Sequence, residues 1–249
     1  MQIADVYYEL CRIHQSWHKY EQAIEYLQQS LNIYQQLGKD ENIARIYRRI
    51  AHNQSLLAKD NPDKSVALDS FTQVEQNLHQ AIQLNTAGDY KENLAYDYIG
   101  LGLLWSERIR LLPSDDPSLP EKTNRFEEYY NTGLTYLSEL GQTVNRADEG
   151  LNIARAYLEV NTLENLDLAE EIAHESLQVF QEYNRRKLEA SAYKLLGEIY
   201  RKRAQRNQPD AEKNAAQFLT ESLQIYRELD LNEKATEVEK LLHPNADNS

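Results

Sequence analysis

Glycine and proline, the residues that shape most sheet turns, are scarce in this chain. Only 8 Gly and 6 Pro are spread over 249 residues, and runs that alternate apolar and polar residues in the manner of strands are missing. Because sheet proteins with many turns depend on such residues, their scarcity disfavours that class. The sequence therefore predicts an all-α protein.

Cysteine, basic charge and long apolar runs are also scarce. Cys11 is the only cysteine, so no disulfide can form within the chain, and we expect a reducing, cytoplasmic location. The start, "MQIADVYYEL", lacks a basic stretch followed by an apolar one, and no run of about eighteen apolar residues occurs. Neither export nor membrane spanning is indicated.

The charge balance argues against general binding to nucleic acid. Lys and Arg total 27 against 40 Asp and Glu, a net charge of −13. A phosphate backbone would be repelled by most of such a surface. Apolar residues make up 41% of the chain, which is enough for a continuous core.

A self-similar phrase is the strongest positive signal. "QQSLNIYQQLG" (28–38) returns as "HQAIQLNTAGD" (79–89), "NTGLTYLSELGQ" (131–142), "HESLQVFQEYN" (174–184) and "TESLQIYRELD" (220–230). Its apolar residues recur at steps of three and four, which predicts one stripe of an amphipathic helix. Gly38, Gly88, Gly141 and Asn184 follow that stripe, where a left-handed residue can close the last turn. Repetition at long, regular intervals indicates a repeat architecture.

A second phrase precedes each of these helices. Its copies are "ADVYYELCRIH", "ARIYRRIAHNQ", "LAYDYIGLGLLW", "DEGLNIARAYL" and "ASAYKLLGEIY". The last copy places Tyr193, Leu196, Gly197 and Tyr200 at steps of three and four, so it also predicts a helix. Each unit therefore contains two helices.

These residues resemble the tetratricopeptide repeat family, whose units are pairs of antiparallel helices. The matching residues are Tyr20, Ala23, Leu27 and Ser30 in the first unit; Tyr47, Ile50 and Ala51 in the second; Tyr98, Leu101, Gly102 and Trp105 in the third; Ile153, Ala154, Tyr157, Ala169, Ala173 and Ser176 in the fourth; and Tyr193, Leu196, Gly197 and Tyr200 in the fifth. Cys11 and His14 depart from the Gly and Tyr of the family's pattern. The resemblance covers about residues 4–230.

The resemblance implies a single α-solenoid, a right-handed superhelix of about five helix pairs with a C-terminal capping helix, over residues 1–243. The expected units are 4–38, 41–88, 92–141, 146–184 and 187–230, followed by a cap at 231–243 and a loose tail at 244–249. Because the family's unit is about thirty-four residues, the extra length is expected in the Pro-containing stretches 57–65, 111–122 and 204–213. No polar cap precedes the first helix, so this end is predicted to pair with another copy or to be the cut edge of a longer array.

In such an array the first helices line the concave wall, and residues between their packing positions face the groove. The resemblance thus implies a cationic wall in an acidic chain, which we interpret as a site for an acidic protein or peptide segment. The predicted binding residues are Tyr8, Arg12, Arg45, Arg48, Arg49, His52, Asn152, Arg155, Lys194 and Arg201. The alternative is a solvated helix face whose charges are balanced by Asp and Glu of neighbouring helices. Some members of the family hold the end of a chaperone tail with Lys and Asn. This chain has Tyr8 and Arg12 at the corresponding positions, which argues against binding of a chaperone tail.

The function expected from these features is a non-enzymatic scaffold for protein–protein interaction. Two other functions stay open: a sensor in which a peptide or metabolite closes the superhelix, and an RNA-binding array of helical repeats. Binding that weakens steeply with salt would be typical of the RNA-binding array.

Other motifs do not indicate a cofactor, a metal or a catalytic centre. Cys11, His14 and His18 share a helical face, but the first two occupy packing positions, so a metal is disfavoured. "GLGLLW" (100–105) lacks the third Gly of a dinucleotide site. Asp115 and Asp116 lie in a Pro-rich turn, where nothing would desolvate them.

Overall fold

The structure, a computed structural model, describes residues 2–59 and 61–243. In these two ranges it consists of eleven α-helices without a strand, which confirms the all-α class and the five helix pairs with one closing helix. The helices are α1 (Gln2–Ser16), α2 (Tyr20–Gln36), α3 (Asp40–Lys59), α4 (Lys64–Ala87), α5 (Lys91–Arg110), α6 (Leu119–Glu139), α7 (Thr143–Glu159), α8 (Leu166–Glu182), α9 (Arg186–Ala204), α10 (Ala211–Glu228) and α11 (Asn232–Leu242). The expected tail, 244–249, lies outside the described residues.

The chain divides into two compact units, Met1–Gly141 and Gln142–Ser249. In the first, each helix from α1 to α6 packs against the next one along the chain. In the second, the same holds from α7 to α11. First helices of successive pairs also touch, α3 with α5 and α7 with α9. Each unit is therefore built by packing between sequence neighbours, as in helical-repeat proteins. The grouping of all pairs into one domain over 1–243 stays a prediction.

The small residue of the recurring phrase lies where the two helices of a pair approach closely. Ser30, Ala81 and Ser222 are fully buried. At Gly133 an added Cβ would lie 2.7 Å from the carbonyl oxygen of Ala95 on the first helix of that pair. A larger side chain at this position would push the helices apart, which explains why the phrase keeps a small residue while its flanks vary.

Left-handed residues end several helices, but one position differs from the expectation. Gly38 and Gly141 have φ of 59° and 66° after α2 and α6, and Asn184 has 53° after α8. After α4, however, Gly88 has φ of −92° and Asp89 takes the left-handed conformation with 54°. Asp tolerates this conformation better than most residues, so the turn closes one residue later than the glycine predicts.

The extra length of the second helix pair, α3 and α4, lies mostly in the helices rather than in the connection between them. The α3 helix has 20 residues and α4 has 24. Asp63 begins α4 by accepting hydrogen bonds from the backbone N–H groups of Ser65, at 2.8 Å, and Val66, at 3.4 Å. This N-cap starts the helix inside the stretch 57–65 that we expected to be a loop.

Candidate functional site

An aromatic ring in contact with two arginines forms the candidate site of the first compact unit. Tyr8 lies on α1, and Arg45 and Arg49 lie on α3, one helical turn apart. The guanidinium carbon of Arg45 is 4.8 Å from the centroid of the Tyr8 ring, and that of Arg49 is 5.9 Å away. Arg49 also donates a hydrogen bond from Nε to the Tyr8 hydroxyl at 3.1 Å. We call these three residues the Tyr8 cluster.

The cluster exists because the first helices of two pairs lie side by side. Residues four apart on a helix share a face, so Arg45 and Arg49 both point toward α1. The negative face of an aromatic ring attracts a cation, which holds Arg45 against Tyr8. The Tyr8 cluster is therefore preorganised by contacts between α1 and α3.

The two arginines of the Tyr8 cluster form no salt bridge with a described acidic side chain. In the described ranges, neither guanidinium lies within 4.0 Å of a carboxylate oxygen, although Arg45 is half-buried. The Nε atom of Arg45 is buried and has no hydrogen-bond partner among the same residues. In a chain of net charge −13, two adjacent arginines without an acidic partner stand out. Such a pair can hold a carboxylate through charge-assisted hydrogen bonds.

Arg48, although adjacent in sequence, faces the interior of the unit. Its Nη1 donates to Asp97 Oδ1 at 3.0 Å and to the Asn93 carbonyl oxygen at 2.9 Å. Asn85 donates to the other carboxylate oxygen of Asp97 at 2.6 Å, and Asp97 is fully buried. Arg48 thereby joins α3 to α5 by a buried ion pair. This contact leaves Arg48 outside the candidate site.

The buried position of Asp97 changes its acidity. Burial raises the pKa of Asp97 from 3.8 to about 6, since desolvation disfavours the charged carboxylate. The positive charge of Arg48 and the hydrogen bond from Asn85 act in the opposite direction. This carboxyl therefore titrates at about pH 6.

Two further predicted residues border the Tyr8 cluster. Arg12 is exposed on α1 and makes an ion pair of 2.9 Å with Glu9, three residues earlier. His52 is exposed on α3, one turn after Arg49. Neither residue is part of the contact around Tyr8, but both are positioned at its edge.

In the second unit the predicted cations are paired with acidic side chains. Arg155 on α7 lies 3.4 Å from a Glu198 oxygen of α9, and Lys194 on α9 lies 2.9 Å from Glu237 of α11. Asn152 donates to Glu149 at 2.9 Å. This arrangement corresponds to the alternative of balanced charges.

Arg201 differs from these residues of the second unit. It borders an open cavity of about 830 Å³ between α9 and α10, together with Gln205, Asp210 and Lys213. One indication that Lys194 is neutralised is visible in the sequence, because Glu198 follows it by four residues on the same helix. Glu237 could not be assigned to Lys194, since the two belong to different helices.

A metal site was considered among the described residues that carry metal-binding side chains. No group of three or more His, Cys, Asp or Glu in these ranges could hold a metal ion. Cys11 is buried, and burial raises the pKa of its thiol, although Arg49 and Arg12 act in the opposite direction. The ring of His14 packs against Tyr26 and Trp17, with centroids 4.9 and 5.5 Å away.

No protein-family model and no curated protein matches this chain. Among the described helices, none combines the length and apolar character needed to cross a membrane.

Proposed function

We propose that this chain is a tetratricopeptide-type interaction module without enzymatic activity, which binds an acidic protein or peptide segment along the first helices of its first unit. The proposal includes a cytoplasmic location, which a lone, buried Cys11 favours. The observation that carries the proposal is the Tyr8 cluster, where two arginines on one turn of α3 lack an acidic partner in the described residues.

The chemistry of the cluster fits a carboxylate better than a neutral group. Each guanidinium presents planar N–H donors that match the two oxygens of a carboxylate. The Tyr8 ring already orients both groups, so little side-chain entropy is lost when the carboxylate binds. An extended segment with Glu or Asp would thus replace water at the arginines, with the Tyr8 ring as a flat contact beside it.

A direct test uses a short fluorescein-labelled peptide rich in Glu as the probe, and fluorescence anisotropy as the measurement. The variant Arg45→Glu/Arg49→Glu should weaken binding by about 10-fold or more, as loss of charge-assisted hydrogen bonds implies. The same peptide with Gln in place of Glu should bind the unchanged protein as weakly as the Glu peptide binds this variant.

A matched control separates a local site from overall charge. Arg146 and Arg185 are exposed residues of the second unit, so Arg146→Glu/Arg185→Glu changes the net charge by the same amount elsewhere. We expect this control to bind the Glu peptide like the unchanged protein. Equal weakening by both double variants would contradict a site at the Tyr8 cluster. Tighter binding of single-stranded RNA than of the peptide, with a steep loss at high salt, would favour the RNA-binding alternative.

A further inference from the structure

The Tyr8 cluster contains more hydrogen-bond donors than the described residues use. A guanidinium carries five N–H groups. Arg49 uses its Nε in the bond to the Tyr8 hydroxyl, at 3.1 Å, and no group in the described ranges accepts a hydrogen bond from Arg45. The Tyr8 hydroxyl is the acceptor in that bond, so its own hydrogen is left to donate. The Nη groups of both arginines and the Tyr8 hydroxyl are therefore donors to which the described chain offers no acceptor.

Arg48, on the same helix, shows how an arginine with a structural role differs from these two. It lies between them in sequence and pairs with the buried carboxylate of Asp97 at 3.0 Å. Arg45 and Arg49 are half-buried as well, but they have no such carboxylate within 4.0 Å in the described ranges. A cation that is partly removed from water without an ion pair loses hydration and gains no charge partner in return. An anion from outside the chain would supply to these two arginines what Asp97 supplies to Arg48.

The two acidic side chains of α1 form other contacts. Asp5, one turn before Tyr8, accepts a hydrogen bond from the hydroxyl of Tyr34 on α2. Glu9 pairs with Arg12, and both of these side chains are 58% exposed, so the pair is weak. Neither carboxylate forms an ion pair with an arginine of the Tyr8 cluster. The cluster therefore offers two guanidinium charges to one ligand.

A phosphate monoester matches these donors better than a carboxylate does. At pH 7 it carries a charge of about −1.5 to −2 and three strong acceptor oxygens. A carboxylate has one charge and two oxygens, and it pairs with one guanidinium through two parallel hydrogen bonds. One carboxylate would thus leave one arginine of the cluster unpaired, whereas one phosphate can accept from both arginines and from the Tyr8 hydroxyl.

We propose that the Tyr8 cluster binds the phosphate of a phosphorylated side chain in the acidic partner segment. This inference rests on the proposed function, because it names the group that the same site takes from the same segment. The Nη groups of Arg45 and Arg49 donate to the terminal phosphate oxygens, as arginine clusters do in phosphopeptide recognition. Arg12, at the edge of the cluster, is available to acidic residues beside the phosphorylated one. Phosphorylation of the partner would then control its binding.

Fluorescence anisotropy with three matched peptides tests this inference. The probe is the fluorescein-labelled Glu-rich peptide, with phosphoserine, Glu or Ser at one central position. The phosphoserine peptide should bind the unchanged protein more tightly than the Glu peptide by about 10-fold or more, because it gains charge-assisted hydrogen bonds to a second arginine. Arg45→Gln/Arg49→Gln should remove this preference. Arg146→Gln/Arg185→Gln, at exposed positions of the second unit, removes the same charge and should keep the preference.

Tyr8→Phe is a second, milder variant. It keeps the ring and its contacts with the arginines, but it removes the hydroxyl to which Arg49 is bonded at 3.1 Å. The preference for phosphoserine over Glu should fall by about 3-fold or more, since one hydrogen bond to the phosphate and one to Arg49 are lost. Circular dichroism should show the same helix content as in the unchanged protein. An unchanged preference would contradict a phosphate held between Tyr8 and Arg49.

The outcomes separate this inference from the proposed function. Equal affinity of the phosphoserine and Glu peptides, with both lost in Arg45→Glu/Arg49→Glu, would overturn the phosphate assignment and leave the proposed function standing. No binding of any of the three peptides would overturn both. A phosphoserine preference that persists in Arg45→Gln/Arg49→Gln would place the phosphate outside the Tyr8 cluster and overturn the inference. Tighter binding of single-stranded RNA, whose phosphates carry one charge each, than of the phosphoserine peptide would also overturn it and would favour the RNA-binding alternative.

Discussion

The hydroxyl of Ser30 on α2 donates a hydrogen bond of 2.9 Å to the carbonyl oxygen of Ala4 on α1. The same contact recurs in the second unit, where Ser176 bonds Ala147 at 2.9 Å and Ser222 bonds Ala190 at 2.8 Å. In three of the five copies of the recurring phrase, the small residue is therefore a serine that joins the two helices of its pair by one buried hydrogen bond. The phrase is repeated because the helix contact is repeated.

Replacing Ser222 by Ala should destabilise the protein modestly. The variant keeps the small volume but removes the bond to Ala190, and a buried hydrogen bond of this kind contributes about 1 kcal/mol. The free energy of unfolding should fall by about that amount in denaturant titration. Ser191→Ala, on the facing helix α9, is the control. The Ser191 hydroxyl is less buried and forms a hydrogen bond of 2.9 Å with the Tyr226 hydroxyl, so its loss should lower the free energy of unfolding by less. A larger loss in the control would contradict the importance of the Ser222 contact.

Replacing Gly133 by Ala should destabilise the first unit, although Ala favours helices. The new Cβ would lie 2.7 Å from the Ala95 carbonyl oxygen and 2.6 Å from a carbon of the Ile99 side chain. Because the backbone of α5 cannot move without loss of packing, we expect a cost of about 1–3 kcal/mol in denaturant unfolding. Gly100→Ala is the matched control, since its Cβ would meet only the flexible Leu78 side chain, whose nearest methyl carbon is 3.0 Å away. An unchanged stability of Gly133→Ala would show that the helices can separate freely.

Variants of two neighbouring arginines of α3 should affect different properties, one the stability of the protein and the other its binding of the peptide. Arg48→Gln leaves buried Asp97 without its cation, so the free energy of unfolding should fall by about 3 kcal/mol or more. Binding of the Glu-rich peptide should persist in this variant, because Arg48 faces α5. Arg49→Gln should show the reverse, with weaker peptide binding and nearly unchanged stability. If Arg48→Gln lost peptide binding while fully folded, Arg48 would belong to the site.

The contribution of Asp97 to stability should depend on pH between about 4 and 6. Its folded pKa of about 6 lies above the ordinary 3.8, so in this window the folded state holds a proton that the unfolded state has released. Stability from this residue therefore falls as pH rises, by on the order of 3 kcal/mol across the whole window. The unfolding free energy of the unchanged protein minus that of Asp97→Asn should be larger at about pH 4 than at about pH 7. A difference that does not vary with pH would rule out this titration.

Much of the architecture could be predicted from the sequence alone. Residues such as Leu27 and Tyr34 recur at helical steps, and both are fully buried as that pattern predicts. The glycine pattern mispredicted one helix end: after α4 the left-handed residue is Asp89 and not Gly88. The connection between α3 and α4 lies inside the expected stretch 57–65 but is shorter than that stretch, because Asp63 caps α4 and lets the helix begin at Lys64.

The pairing of amphipathic helices follows from residue spacing alone, because helical periodicity and small contact residues act over short distances along the chain. Which charged side chains form ion pairs depends instead on the packing of the helices. Arg48 pairs with Asp97 and Lys194 with Glu237, while Arg45 and Arg49 gather around Tyr8. Each of these contacts joins different helices, so its geometry depends on how those helices pack and not on the spacing of residues within either one.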